Sequence, residues 1–365
     1  MTIREVSFDD YAQIVALESK YGLDTKGYEE WKHLWSKNPA YIQFQESLPI
    51  GWVLERADKN IVGYLGNVPL FYELEGRRLL ACVAHAWVAD VQYRSYSPLL
   101  LERYFSQQVV DLFLNATVGR LAAQSFAAFE SLPVPVGAWD QSSFWITNYQ
   151  GFMAHWLAMK AAPLAKPLSY LLSVGLFVRD AAAKARLRQP NTEIEVQVCA
   201  NVDRRFDIFW EALTRVNSHV LMGLRTRETL EWHFQHALRQ NRAWIVTASK
   251  GSDLTAYGIF RRYDNPQFGL HRMRLVDFQT LDGNADSLLL MLHWALDICR
   301  REGIDMVECI GFPTDKAAVI REMAPYTRKL PSWLYFYKAR EKSLAVRLSN
   351  PTVWNPSQFD GDASL

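Results

Sequence analysis

The sequence predicts an α+β protein in which one mixed-sheet unit occurs twice in tandem, the second copy degenerate. Three observations carry that expectation. Hydrophobic periodicity along residues 1–150 gives the order β-α-α-β-β-β-α-β-α-β, and residues 191–340 repeat it. Glu30-Trp31-Lys32-His33 in the first pass is answered by Glu231-Trp232-His233-Phe234 in the second. The length, 365 residues, suits about two domains at ~150 residues each. Residues 151–190 are then a connecting helical segment and 341–365 a C-terminal tail.

In the first unit, Thr2–Val6 reads as a strand and Phe8–Lys20 as a helix, with Asp9 and Asp10 in its first turn. Gly27–Ser36 is a second helix, which Pro39 is expected to stop. Gly51–Arg56, Ile61–Leu74 and Arg77–Val91 are strands separated by Asp58-Lys59-Asn60 and Glu75-Gly76. Gln92-Tyr93-Arg94-Ser95-Tyr96-Ser97-Pro98 then leads into the helix Leu99–Val110, with Ser97 as its N-cap and Pro98 in the first helical position. Leu112–Val118, Leu121–Glu130 and Ser143–Tyr149 complete the unit as strand, helix and strand.

The second unit reads alike. Glu193–Cys199 is a strand, Asp207–Asn217 and Thr229–Leu238 are helices, and Ala243–Ser249, Leu254–Tyr263 and His271–Gln279 are strands. Ser287–Glu302 is a long helix. Met306–Phe312, Thr314–Met323 and Ser332–Tyr337 follow as strand, helix and strand.

Composition narrows the function. Lys+Arg number 40 against 39 Asp+Glu, a net charge of +1, which leaves no footprint for a phosphate backbone, so no nucleic-acid partner is expected. Cys82, Cys199, Cys299 and Cys309 stand alone, without a C-x-x-C pair or a His cluster at ligand spacing. Neither a metal site nor a disulfide framework is expected, and a reducing compartment fits. The start, MTIREVSFDD, lacks the apolar stretch of a signal peptide, and the longest mostly apolar run, Leu168–Val178, is about half of what a bilayer requires. The expected location is cytoplasmic. The 13 Trp, 16 Tyr and 19 Phe fill large cores, or in part line an acyl or sugar pocket. Phe152–Pro190 is apolar up to Val178 and then basic at Arg179, Lys184, Arg186 and Arg188. It is either a connecting helix pair or an interfacial helix making peripheral contact with anionic membrane, which would place the protein at the inner membrane.

Gln92-x-x-Ser95-x-Ser97 between strand and helix, with the element order around it, resembles the GNAT superfamily of acyl-CoA-dependent N-acyltransferases, whose signature there is Q/R-x-x-G-x-G/A. The duplicated layout resembles tandem GNAT and FemAB-like enzymes of envelope-polymer pathways. The resemblance implies an acyl-CoA co-substrate, transfer to an amine without a covalent enzyme intermediate, and an amino sugar of an envelope polysaccharide as acceptor. A long-chain acyl-CoA with a lipid amine is the alternative, and a non-catalytic binding protein on the same scaffold a third reading.

Backbone N–H groups at a helix N-terminus suit a pyrophosphate. Gln92, Arg94, Ser95, Tyr96 and Ser97 are therefore the cofactor-binding candidates, with a plain turn as the other reading. Both signature glycines are serines here, which restricts close backbone approach. His85 is the candidate base for the acceptor amine, between the small Ala84 and Ala86, against a reading as a core histidine. Asp90 is the runner-up and Glu73 a third. In the family a Tyr in the helix after the fifth strand often protonates the thiolate; the matching place here is Phe129. The acidic stretch Asp277–Asn284 makes a second phosphate cradle improbable. His271 and Asp277 are the acceptor-binding candidates, Asp277 otherwise a strand-end residue in a local hydrogen bond. The tail from Trp354 to Asp362 is expected to fray rather than fold back over a pocket, and Asp360 with Asp362 lacks the further ligands of a calcium loop.

Overall fold

In a computed structural model, residues 1–137, 139–160, 165–182, 194–265, 267–283, 285–330 and 333–365 are described. Lys184, Arg186 and Arg188, on which the basic reading of the linker rested, lie outside them.

The strands of the first half are β1 (Thr2–Glu5), β2 (Gly51–Glu55), β3 (Ile61–Leu74), β4 (Arg77–Ala89), β5 (Leu112–Val118), β6 (Leu132–Pro133) and β7 (Gln141–Ile146). Its helices are α1 (Tyr11–Lys20), α2 (Tyr28–Ser36), α3 (Pro39–Phe44), α4 (Pro98–Phe105) and α5 (Arg120–Ala128). The linker forms α6 (Tyr149–Met159) and α7 (Ala165–Ala182). The second half supplies β8 (Glu195–Cys199), α8 (Arg204–Val216), β9 (Met222–Gly223), α9 (Arg227–Arg239), β10 (Ala243–Lys250), β11 (Asp253–Arg262), β12 (Arg272–Thr280), α10 (Ala285–Arg301), β13 (Met306–Ile310), α11 (Thr314–Met323), β14 (Tyr326–Lys329), β15 (Leu334–Ala339) and α12 (Lys342–Leu348).

Among the described residues these strands make two mixed sheets, ordered β1-β2-β3-β4-β5-β15-β6, with β9 also on β3, and β14-β7-β13-β12-β11-β10-β8. The order of elements repeats as expected, but each sheet takes a strand from the other side of the linker 151–190. β15 pairs antiparallel with β5 of the first sheet, and β7 lies between β13 and β14 of the second. Hydrophobic clusters join residues from both halves, with Leu54 and Phe113 in one cluster with Phe209, Tyr257 and Phe359. The repeated motif meets itself at this junction. His33 Nε2 lies 2.9 Å from the Trp232 carbonyl, and Trp232 Nε1 donates to the His33 carbonyl at 3.1 Å.

The second helix ends at Ser36, before Pro39, as expected, but Pro39 then opens a further short helix, α3, where its missing N–H costs nothing, and Asn38 accepts from Ala40 N and Tyr41 N as the cap. Two local expectations are corrected. Ser97 does not cap α4. It is itself helical and its hydroxyl turns back to the Arg94 carbonyl at 2.8 Å, because Val91–Tyr96 forms a 3₁₀ helix that runs into α4. The tail does not fray. From Ser357 to Ser364 every residue is buried except the partly buried Asp362, because partners far back in the chain take up its polar groups. No helix among the described residues is long and apolar enough to cross a membrane.

Candidate active site

β4 and β5 run parallel only where Ala81, Cys82 and Val83 face Leu112, Phe113 and Leu114. Beyond that point a bulge bends β4. Tyr64 pairs with Val88 and Gly66 with His85, so Ala86 and Trp87 together face Leu65. Ala86 takes a left-handed conformation, φ 56°, which a small residue tolerates far better than a β-branched one. A bulge leaves one residue outside the ladder and turns the strand, here opening a fork between β4 and β5.

Side chains stand in for the missing rungs. Asn115 Oδ1 accepts from Ala84 N at 3.1 Å, and the Tyr104 hydroxyl donates to the Cys82 carbonyl at 2.7 Å. Asn115 Nδ2 and Trp87 Nε1 are buried and find no hydrogen-bond partner among the described residues. Each bounding strand of the fork thus carries one unpartnered buried donor, an arrangement that costs free energy unless something completes it.

His85 is partly buried beside this opening, and no hydrogen bond holds its imidazole among the described residues. Burial, followed by the Lys26 ammonium, pushes its pKa down to about 3, so the ring is neutral. Lys26, from the connection between α1 and α2, is itself lowered, chiefly by burial and then by Arg261. Glu18 on α1 is buried at 3% exposure, and burial raises its carboxyl to about 7, with Lys26 opposing. The Tyr64 hydroxyl is buried and finds no hydrogen-bond partner among the described residues. It occupies space that only Gly66 leaves, since a Cβ there would stand 2.6 Å from it and 2.9 Å from the His85 carbonyl. Glu18 and Lys26 were not found by sequence reasoning. The available signal was that Glu18 follows Ile14 and Leu17 at helical spacing on a buried stripe.

Glu18 has a testable consequence for stability. Its folded pKa, about 7, lies above the ordinary 4.5, so between those values the native state holds a proton that the unfolded chain has lost. Stability therefore falls as pH rises through that window, by about 3 kcal/mol at most. Melting curves at pH 5 and pH 8 are expected to differ less for Glu18→Gln than for the unaltered protein.

The other sequence candidates are dispersed. Asp90 is engaged by Lys20 and by the Tyr21 hydroxyl, and the Lys20 ion pair holds its carboxyl below the usual range. Glu73 pairs with Arg78 across the far part of the β3–β4 hairpin, away from the bulge. Gln92, Arg94, Ser95 and Tyr96 are exposed, with Arg94 5.7 Å from the Tyr21 ring. The amides of Tyr93 and Ser97 already donate to the carbonyls of Asp90 and Arg94, so this segment is a short helix rather than the expected tight turn.

In the second sheet, His271 is exposed and stands 3.4 Å from Asp264. It lies about 20 Å along the strand from Asp277 at ~3.3 Å per residue, so the two acceptor-binding candidates do not converge. Asp277 is fully buried. Arg225 reaches it at 2.9 Å, Ser357 Oγ at 2.7 Å, Gln279 Nε2 at 2.9 Å and Tyr257 OH at 3.2 Å. Its carboxylate thus belongs to an internal ion network and not to a local turn.

A second fork exists there. β12 and β13 run parallel from Arg272–Met306 to Leu275–Cys309, and Val276 is an extra residue against β11. The chain's own tail fills it. Phe359 N donates to the Val276 carbonyl at 3.1 Å and Gln358 Nε2 to the Ile310 carbonyl at 3.2 Å. The tail then reaches the first fork, where Asp362 accepts from Ala116 N at 2.8 Å and from the Thr117 hydroxyl. Burial raises the Asp362 carboxyl. Among the described residues no group of three or more His, Cys, Asp or Glu could hold a metal ion.

No protein-family model and no curated protein matches the chain. Solved structures do. A Saccharomyces cerevisiae N-myristoyltransferase with bound myristoyl-CoA and inhibitors aligns with TM-score 0.59 at 13% identity, over all of this chain and 86% of that one. Another, with bound myristoyl-CoA, gives 0.57 at 10% over 93% and 79%. A GCN5-related N-acetyltransferase from Anabaena variabilis gives 0.52 at 11% over 93% and 72%. The likeness is one of fold, and it extends over both halves of the chain.

Proposed function

We propose that the protein is an acyl-CoA-dependent N-acyltransferase that uses the fork of the first sheet. The observation that supports this most is the pair of unpartnered buried donors, Asn115 Nδ2 and Trp87 Nε1, one on each strand where β4 and β5 separate. Donors held in a dry site act on charge as it develops. When an amine lone pair adds to a thioester carbonyl, that charge sits on the carbonyl oxygen; the C–S bond then breaks and the thiolate leaves. The attacking nitrogen must shed a proton. His85, at about 3, is a weak base at neutral pH, whereas Glu18, at about 7, is matched to the task. We therefore assign Glu18 as proton acceptor and His85 as a neutral contact for the acceptor amine. The second fork, filled by the tail, takes no donor in this reading.

Arg94, Gln92, Ser95, Tyr96 and Ser97 remain the proposed contacts for the diphosphate of the donor, through side chains rather than a ring of amides. The acceptor is an amino sugar, following the resemblance to envelope-polymer enzymes. A long-chain donor with a lipid amine is the second reading, favoured by the myristoyl-CoA bound in the similar yeast structures.

Thermal-shift titration with acetyl-, medium- and long-chain acyl-CoA is the first test. A ligand at a hundred times its Kd stabilises the fold by ~2.7 kcal/mol, and Arg94→Glu is expected to lose most of that response. Release of free CoA thiol with an amino sugar or with a long-chain amine then separates the two acceptors. The absence of any shift with all three donors would leave only a non-catalytic scaffold.

A further inference from the structure

Helix α7 is amphipathic in the wrong sense for a soluble surface. Its buried positions are polar: Ser169, Ser173 and Asp180 are at most 6% exposed. Its outward stripe is apolar: Tyr170, Leu171, Val174, Phe177 and Val178 are between 49% and 70% exposed, at the spacing of one helix face. The inward polar side is fixed by chemistry, because Asp180 accepts from the hydroxyls of Tyr149 and Tyr326 at 2.9 and 2.7 Å. Rotating the helix to bury the apolar stripe would break both bonds and strand a carboxylate. Between α6, α7 and the strands β7 and β14 lies an open apolar cleft of about 350 Å³, lined by Phe144, Phe152, Trp156, Leu172, Leu176 and Tyr326 among others. Contiguous apolar surface of this kind marks an interaction site.

Charge selects the occupant. From Lys160 to Arg188 the sequence carries Lys160, Lys166, Arg179, Lys184, Arg186 and Arg188 against the single carboxylate of Asp180, in a chain whose net charge is +1. Docking two copies through this hairpin would bring together two chains that are each basic along this stretch of sequence, which like-charge repulsion disfavours. An anionic lipid surface attracts both features at once. We propose that the α6–α7 hairpin seats the protein on an anionic phospholipid bilayer, α7 lying in the interface plane with Leu171, Val174 and Val178 among the acyl chains. This stands independently of the transferase reading.

The test is flotation of the full chain with phosphatidylcholine vesicles, with and without phosphatidylglycerol, at low and high salt. Co-flotation is expected with phosphatidylglycerol present, weakened by salt, and reduced at least tenfold in Val174→Glu/Val178→Glu. Both substitutions are at exposed positions, and an unchanged melting temperature verifies the fold. The proposal fails if the protein stays with the soluble fraction under all conditions, or if the double variant floats as well as the parent. It fails equally if sedimentation shows a dimer that the double variant dissociates, which would make a second copy the occupant.

Discussion

Arg225→Met is expected to destabilise the protein by about 3–5 kcal/mol, the range for leaving buried charge without its partner. Arg225 is 1% exposed at its side chain and bridges Asp277 at 2.9 Å and Asp360 at 2.7 Å, both carboxylates almost wholly out of water. Methionine fills similar space but leaves two buried anions facing each other. A loss of that size is a large share of the ~5–15 kcal/mol that separates folded from unfolded domains, so the urea midpoint should fall sharply. The pH dependence gives a second reading. Burial opposes ionisation of Asp277, but Arg225 outweighs it and holds the carboxyl below its ordinary 3.8. The native pair thus contributes stability that is present above pH ~4 and lost as acid protonates Asp277. Without Arg225, burial is opposed only by the hydrogen bonds from Ser357 and Gln279, and the variant should gain stability relative to the parent as pH falls. Equal midpoints for variant and parent would mean that the network contributes nothing.

The second large effect is on activity. Asn115→Asp keeps the oxygen that accepts from Ala84 N while replacing the unpartnered Nδ2 by an anion. The new carboxylate is buried at a position 3% exposed and is expected to cost stability, so the comparison is made at a temperature where melting shows the variant folded; there kcat/KM for acyl transfer should fall by about 10²–10³, as when one oxyanion donor is removed. Trp87→Phe removes the other donor with the ring retained, and a smaller fall is expected. The readout is CoA thiol release at saturating amine, with donor binding followed separately by thermal shift. Full activity in Asn115→Asp would remove the fork from the mechanism.

What could be read from the sequence was what lies close together along it. β3, β4 and α10 are long and strongly patterned, and the repeat was visible because two runs of like elements follow each other. His85 was found because small neighbours flank it on the strand that leads to the fork. The parts that were missed depend on partners far away. Asp360 looks like a polar tail residue until Arg225, 135 positions earlier, is seen beside it. The exchange of β7 and β15 leaves no local trace, since a strand reads the same whichever sheet receives it. The helix that Pro39 opens and the part that Ser97 plays are missed for a different reason. Each residue type serves two opposite purposes at a helix end, and only the neighbouring backbone decides between them.

The placement of β15 bears on how the chain matures. β5 is buried along its length, yet its antiparallel neighbour is translated about two hundred residues later. At ~5–20 residues per second, a nascent first sheet would wait roughly 10–40 s with an open apolar edge. Such an edge invites pairing with other growing chains. Slow synthesis without a chaperone should therefore favour aggregates, whose contacts begin at the vacant side of β5.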